Sequence, residues 1–191
     1  LIGGISLNYE LSDRVMLRGG FNLGKVEGAD QYSGTQNLKQ IRNLSFQSNI
    51  TEFHVKGELT VFNLYNIRWS PYAFAGIAVY HFNPYILDSG QKVFLQPLGT
   101  EGQGLSQYPD RKPYSLTQFA IPFGGGIKYN ISENIRIGLE LGMRRLFTDY
   151  LDDVSRSYAD ENLLLAARGP NAVKYAYRGD EVPGEAQGYP D

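Results

Sequence analysis

The chain has 191 residues, of which 13% are aromatic and 20% are charged, and it contains no cysteine. Eighteen Lys and Arg oppose 20 Asp and Glu, for a formal net charge of −2, so the basic excess typical of nucleic-acid binding is absent. Disulfides and thiolate metal sites are excluded. No apolar run approaches the length of about 18 residues that a membrane-spanning helix needs. The uniform composition predicts one domain over residues 1–191.

The first segment alternates between apolar or small and polar residues. This pattern runs over 1–10, is interrupted by a short turn at 11–13, and resumes over 14–23. A period of two predicts strands, and the short turn predicts a hairpin. Because Leu1 already lies inside the pattern, and residues 184–191 resemble a loop rather than a closing strand, we expect that strands are missing at both ends.

The middle of the chain alternates long polar segments with strand-like ones. Residues 25–48 are polar and without a period, which predicts a long loop. Strands are predicted at 49–64 and 71–82, on either side of a turn at 66–70. The proline-containing segment 83–113 predicts a second long loop.

The strongest pattern lies between Tyr114 and Ser155. Its two alternating halves are separated by Asn130–Asn134, and each is about as long as the ~9–11 residues that a tilted strand needs to cross a bilayer. The pattern therefore predicts a long hairpin. Residues 149–191 predict a third long loop with a helical turn at 159–168.

Six predicted strands with alternating short and long connections indicate a particular fold class. We expect an all-β, antiparallel, up-and-down transmembrane β-barrel, with eight strands in the full-length protein and about six in this chain. A soluble barrel of the lipocalin kind has the same alternation and is the alternative. Glycines share the charged face of the strands, and small residues beside long charged ones suit a narrow barrel interior, which favours the membrane barrel.

The charged face also predicts an internal network. Buried charges have to be paired, and side chains fill a barrel of this size, so we expect a closed lumen without a solute channel. In this network Glu140 is expected to pair with Arg136 or Arg144. The predicted network consists of Arg14, Arg18, Glu52, Lys56, Glu58, Lys128, Arg136, Glu140 and Arg144.

Two groups of residues suggest chemistry, although a structural role is favoured for both. His54 and His81, the only two histidines, are predicted to face one another on neighbouring strands near Glu52, as a metal pair or as the base of a lipid hydrolase. Without a third histidine or a placed nucleophile, an interior polar network is the preferred interpretation.

Three aspartates form the second group, and a run of three glycines is considered as a phosphate-binding loop. Asp149, Asp152 and Asp153 could bind calcium, but their irregular spacing favours a solvated or Arg-paired loop. Gly124–Gly126 is followed by no Lys-Ser/Thr, so a strand kink or a close approach of side chains is preferred to a phosphate cradle. We predict no metal, no cofactor and no enzymatic activity.

A series of short segments between Arg42 and Tyr158 carries a family resemblance. These segments are Arg42–Phe46, Ser70–Gly76, Phe82–Pro84, Leu95–Gly104, Ile121–Gly124 and Thr148–Ser155. Any one of them alone would be weak, but their order and spacing are specific. Together they resemble the PorG-like family of outer-membrane β-barrels, one member of which belongs to the type IX secretion system.

The resemblance implies a bacterial outer-membrane location, an eight-stranded barrel and a non-enzymatic role as a structural anchor or assembly component. For secretion-system members it implies contact with outer-membrane lipids and docking on a periplasmic ring of lipoprotein. We expect that contact at the turn carrying Arg68 and Trp69, since Trp and Arg often dominate interfaces. An aromatic girdle position for Trp69 is an equal alternative. A surface binding or adhesion barrel and an outer-leaflet lipid-modifying enzyme are the other functions considered.

Overall fold

The protein is described here by a computed structural model of residues 2–29, 45–132, 134–179 and 189–190. Strands account for most of these residues, and two short helices follow them. In these ranges the elements are β1 (Ile2–Glu10), β2 (Val15–Ala29), β3 (Ser45–Thr60), β4 (Trp69–Asp88), β5 (Gln91–Phe94), β6 (Thr117–Asn130), β7 (Arg136–Leu146), α1 (Glu161–Arg168) and α2 (Pro170–Ala176).

The strands form one sheet in which sequence neighbours pair. The sheet order is β1-β2-β3-β4-β6-β7, and the short β5 pairs only with β4. The register pairs Ile5 with Phe21 in the first hairpin and Gly124 with Gly142 in the last, both antiparallel. The prediction of an all-β, antiparallel, up-and-down fold is confirmed. Within the described residues the sheet is open, with β1 and β7 at its edges.

The chain divides into two compact units. The strand unit contains the described residues of Leu1–Gly24, Ile50–His81 and Thr117–Phe147. The loop unit contains those of Lys25–Asn49, Phe82–Leu116 and Thr148–Asp191. A single domain over the whole chain stays a prediction.

Three strands extend further than the sequence pattern predicts. β2 continues to Ala29 and β3 begins at Ser45, so both ends of the predicted loop 25–48 are strand, while residues 30–44 lie outside the described part. β4 begins at Trp69 and continues to Asp88, where Leu87 pairs with Lys92 of β5. Backbone pairing with a neighbouring strand continues these strands where side-chain alternation fades.

Side chains of the strand unit separate into two faces. In β3, even-numbered residues from Glu52 to Thr60 are buried, and Phe53, Val55 and Leu59 are exposed. On β7, Leu139 and Leu141 are 81% and 78% exposed, on the face opposite Glu140. We call the exposed side the outer apolar face. It includes Ile5, Leu7, Phe53, Val55, Leu59, Ile77, Phe119, Ile121, Phe123, Ile127, Leu139, Leu141 and Met143.

Gly124 allows close packing of β6 and β7. A Cβ at this position would lie 2.1 Å from the Leu141 carbonyl oxygen and 2.9 Å from the Phe74 ring. Any larger residue would therefore meet backbone that the antiparallel pairing fixes. The predicted close approach at Gly124–Gly126 is confirmed.

The predicted helical turn at 159–168 is present as α1, and α2 follows it without having been predicted. The Asp160 side chain caps α1 by accepting a hydrogen bond from the Leu163 amide at 2.9 Å. Leu164 then packs with Ala172 and Ala176 of α2 in a small buried cluster. With eight and seven residues, the two helices described here are too short to span a membrane.

Candidate functional site

Glu58 is the centre of the charged inner face of the strand unit. Its side chain has no solvent exposure, and its two carboxylate oxygens form ion pairs with Arg18 of β2 and Lys128 of β6. The Lys128 ammonium also lies 4.7 Å from the centre of the Tyr72 ring. A buried carboxylate with two cationic partners is paired at both oxygens, as a buried charge requires.

Glu140 on β7 binds different partners from those predicted. Its carboxylate accepts a hydrogen bond from Arg18 at 2.5 Å and from the Tyr72 hydroxyl at 2.8 Å. The Lys56 ammonium lies 3.6 Å away. The predicted pairing of Glu140 with Arg136 or Arg144 is therefore wrong, because the inner face places residues of β2, β3 and β4 nearer to Glu140 than its own strand neighbours.

A second cluster surrounds Glu52. Arg144 donates to both carboxylate oxygens, at 2.5 Å and 2.9 Å, and Asn22 donates at 2.8 Å. The ring nitrogen Nδ1 of the buried His54 lies 3.3 Å from the same carboxylate. His54 is thus part of an interior polar network, as the preferred interpretation predicts.

Two residues of the predicted network, Arg136 and Arg14, lie outside the clusters around Glu58, Glu140 and Glu52. Arg136 lies 3.4 Å from Glu10 and donates to Asn130 at 2.8 Å, in a partly exposed position. Arg14 does not belong to the lumen network: it is exposed in the turn before β2, and no ion pair of Arg14 is found among the described residues. Its carbonyl oxygen instead accepts a hydrogen bond from the Thr60 amide at 2.9 Å, which closes the β2–β3 pairing.

His81 does not form a pair with His54. It occupies an exposed position of β4, where its Nδ1 lies 3.1 Å from the Thr117 hydroxyl, whereas His54 is buried on the inner face of β3. The predicted face-to-face arrangement is wrong, because His81 occupies an outward position of β4, between the buried Tyr80 and Phe82, whereas His54 points inward. No group of three or more His, Cys, Asp or Glu suited to a metal occurs in the described ranges.

Arg68 and Trp69 lie where the predicted turn passes into β4. Arg68 is exposed, and its carbonyl oxygen accepts a hydrogen bond from the Asn130 amide at 2.7 Å. Trp69 is the first residue of β4, pairs with Tyr129, and is 46% exposed. Its ring packs edge-on against Phe62 at 5.4 Å. Trp69 shares the orientation of the outer apolar face, and that orientation fits the girdle alternative at least as well as a partner contact.

Asp153 forms the polar centre of the loop unit. It is 2% exposed, and its carboxylate accepts hydrogen bonds from the Tyr114 hydroxyl and, at 2.7 Å, from Thr100. Tyr114 stacks on Tyr150 at 4.6 Å and on Phe82 at 6.1 Å. Burial raises the pKa of Asp153 to about 6. Asp153 is therefore neither solvated nor paired with an Arg of the described residues, and the interpretation preferred from the spacing is wrong for this residue.

Glu101 lies beside Asp153 and was not singled out by the sequence. One of its oxygens accepts hydrogen bonds from the amides of Ser155 and Arg156, at 3.0 Å and 2.7 Å. Burial raises the pKa of Glu101. The available sequence signal was the set of glycines at 99, 102 and 104, all with positive φ, which fold the segment around Glu101 into tight turns.

A family model described as "Domain of unknown function (DUF6089)" matches residues 2–169 of the chain. Neither a curated protein nor a solved structure matches the chain significantly.

Proposed function

The chain belongs to the family described as "Domain of unknown function (DUF6089)", and we propose that it is a non-enzymatic β-barrel protein of the bacterial outer membrane. In this proposal it acts as a structural anchor or assembly component. The observation that carries the proposal is the separation of faces in the strand unit. Large apolar side chains lie outside, and charged side chains lie inside.

The outer apolar face is the first support. Leu7, Leu139 and Leu141 are each more than three-quarters exposed, and the same face continues across β3, β4 and β6. Soluble monomers rarely expose contiguous apolar patches larger than a few hundred Å². A membrane-spanning β-barrel shows this pattern, with apolar residues toward the lipid and polar residues inside. Outer-membrane lipids are therefore the first proposed partner.

The inner face supports an anchor rather than a pore. Arg18 links Glu58 and Glu140, while its guanidinium lies 5.9 Å from the centres of the Tyr72 and Phe74 rings. Charges and rings thus occupy the inner face together. A barrel of eight strands has room for little beyond such side chains.

The more specific role rests on the resemblance to PorG-like barrels. We propose that the turns between β1 and β2, β3 and β4, and β6 and β7 face the periplasm, because short turns do so in such barrels. A periplasmic ring lipoprotein is the proposed protein partner, with Arg68 and Trp69 as its contact. Surface binding or adhesion through the loop unit is the second candidate, since that unit has its own helices and buried polar centre.

Cysteine accessibility in intact cells tests the location. In the full-length protein we expect Leu139→Cys and Ile77→Cys to resist a water-soluble thiol reagent and to react with a lipid-soluble one. Gln91→Cys is the exposed loop-unit control, and Asn134→Cys, in the turn between β6 and β7, should react only after permeabilisation. Labelling of Leu139→Cys by the water-soluble reagent as fast as Gln91→Cys would overturn the proposal.

A further inference from the structure

A cavity of about 220 Å³ lies within the loop unit, and the residues that line it all belong to that unit. Three carboxylate residues, Glu101, Asp152 and Asp153, contribute to the lining. The apolar part of the lining includes Phe46, Ile86, Leu95 and Tyr175. A concave site with a mostly apolar wall and a few polar groups is typical of small-ligand binding.

Glu101, one of the lining residues, has a carboxylate oxygen without a hydrogen-bond partner among the described residues. The residue is 5% exposed, and its Oε1 accepts two backbone amide hydrogens. Its Oε2 is buried and has no hydrogen-bond partner within the described part of the chain. Buried polar atoms without a partner are rare in native proteins, so this oxygen indicates a missing donor.

Other charged groups at the cavity have partners within the protein. Arg156 is about half exposed and lies 4.0 Å from Asp110, while Arg178 donates to the Ser45 hydroxyl at 2.9 Å. Asp153 is occupied by Tyr114 and Thr100. Of these two buried carboxylates, Asp153 and Glu101, the latter therefore has the oxygen that can accept a hydrogen bond from a positively charged nitrogen. Charge-assisted hydrogen bonds of this kind are strong.

We propose that this cavity is a binding site for a small primary amine with an apolar or aromatic body. The ammonium group donates to Glu101 Oε2, and the body packs against Phe46, Ile86 and Leu95. This inference is independent of the anchor function, because it rests on the loop unit alone. It identifies the chemical class of ligand that the loop unit binds.

Equilibrium binding of 2-phenylethylamine to the purified full-length protein tests the inference, with 2-phenylethanol as the matched neutral probe. We expect saturable binding of the amine, measured by calorimetry and ligand-observed NMR, and at least about tenfold weaker binding of the alcohol, which lacks the charge. Equal binding of the two probes, or no saturable binding of the amine, would overturn the proposal.

Three variants locate the site. Glu101→Gln, which keeps an acceptor for the Ser155 and Arg156 amides, should weaken amine binding about tenfold or more. Glu161→Gln, on the exposed first turn of α1, is the matched control and should bind the amine as the parent does. Ala29→Leu should reduce amine binding by narrowing the cavity, even if Glu101→Gln does not fold. Unchanged binding in folded Glu101→Gln or in Ala29→Leu contradicts the assignment.

Discussion

Arg144 of β7 holds Glu52 of β3 in a two-point ion pair, with Nε 2.5 Å from Oε2 and Nη2 2.9 Å from Oε1. In the sheet, β4 and β6 lie between these strands. Adjacent strands are about 4.8 Å apart, so side chains three strands apart in a flat sheet could not reach one another in this way. The strand unit therefore curves around its inner face, and the ion pairs join strands that the backbone does not.

We expect Glu58 to be the most costly inner charge to remove, because its side chain is fully buried and both of its carboxylate oxygens are ion-paired. Glu58→Gln leaves Arg18 and Lys128 with a neutral partner in a site where the Glu58 side chain has no solvent exposure. We expect a loss of about 3–5 kcal/mol in the free energy of unfolding. Denaturant titration of the folded protein in detergent or vesicles measures it.

Two further variants provide reference values for the stability loss in Glu58→Gln. The Glu140 side chain is 29% exposed, so Glu140→Gln should cost less, about 1.5–3 kcal/mol. Glu27 forms an exposed pair with Lys25 at 3.2 Å, and Glu27→Gln should change stability by less than about 1 kcal/mol. Equal losses in Glu27→Gln and Glu58→Gln would contradict a buried network.

The second prediction concerns the contact of β6 with β7. Gly124→Ala introduces a methyl group 2.1 Å from the Leu141 carbonyl, so the strand pairing has to shift, at a cost of about 1–3 kcal/mol. Gly19→Ala in β2 is the matched control, because a Cβ there meets nothing within 4 Å. Thermal or denaturant unfolding compares the two. A destabilisation of Gly19→Ala as large as that of Gly124→Ala would show that backbone effects dominate.

The third prediction is a pH dependence of stability centred on Asp153. Burial raises the pKa of Asp153 from 3.8 to about 6; the charges of Glu101 and Asp152 act in the same direction, against hydrogen bonds from Tyr114 and Thr100. Because the folded protein then binds this proton more tightly than the unfolded chain, stability falls as the pH rises from about 4 to about 6. The expected loss attributable to Asp153 is about 3 kcal/mol.

Asp153→Asn isolates that contribution. Unfolding free energies measured at several pH values between about 4 and about 6 should decline less in Asp153→Asn than in the parent. Asp110→Asn, at an exposed position 4.0 Å from Arg156, should keep the parent's profile. If Asp153→Asn declines as steeply as the parent, another group is responsible for the dependence.

The fourth prediction concerns the proposed periplasmic contact. Replacing both Arg68 and Trp69 with Ala should leave the sheet folded, because both side chains are exposed, while removing cross-links to a ring lipoprotein and lowering secretion. Leu11→Ala, at an exposed apolar position in the turn between β1 and β2, is the matched control. Normal cross-linking in the double variant, combined with weaker membrane insertion, would instead assign Trp69 to an aromatic girdle.

The candidate site could be predicted only in part. The identities of the inner charges follow from alternation, and seven of the nine predicted residues belong to the clusters around Glu58, Glu140 and Glu52. Arg136 pairs with Glu10 at a partly exposed position instead. Arg14 joins no cluster of the described residues, because it precedes the first residue of β2 and lies in the turn. Tyr72, Asn22 and Glu101 were missed because their roles depend on partners far away in sequence.

The sequence by itself determined six of the seven described strands, their antiparallel order and the side-chain faces wherever apolar and polar residues alternate. Alternation fixes these because successive residues of a strand point to opposite sides. The sequence did not predict β5, and it left open the faces of β4, where His81 points outward. Only the tertiary structure decided which charges meet. Glu140 binds Arg18 and Tyr72 rather than Arg136 or Arg144 because those two arginines are four residues away along β7, about 13 Å, whereas the curved sheet brings side chains of other strands closer.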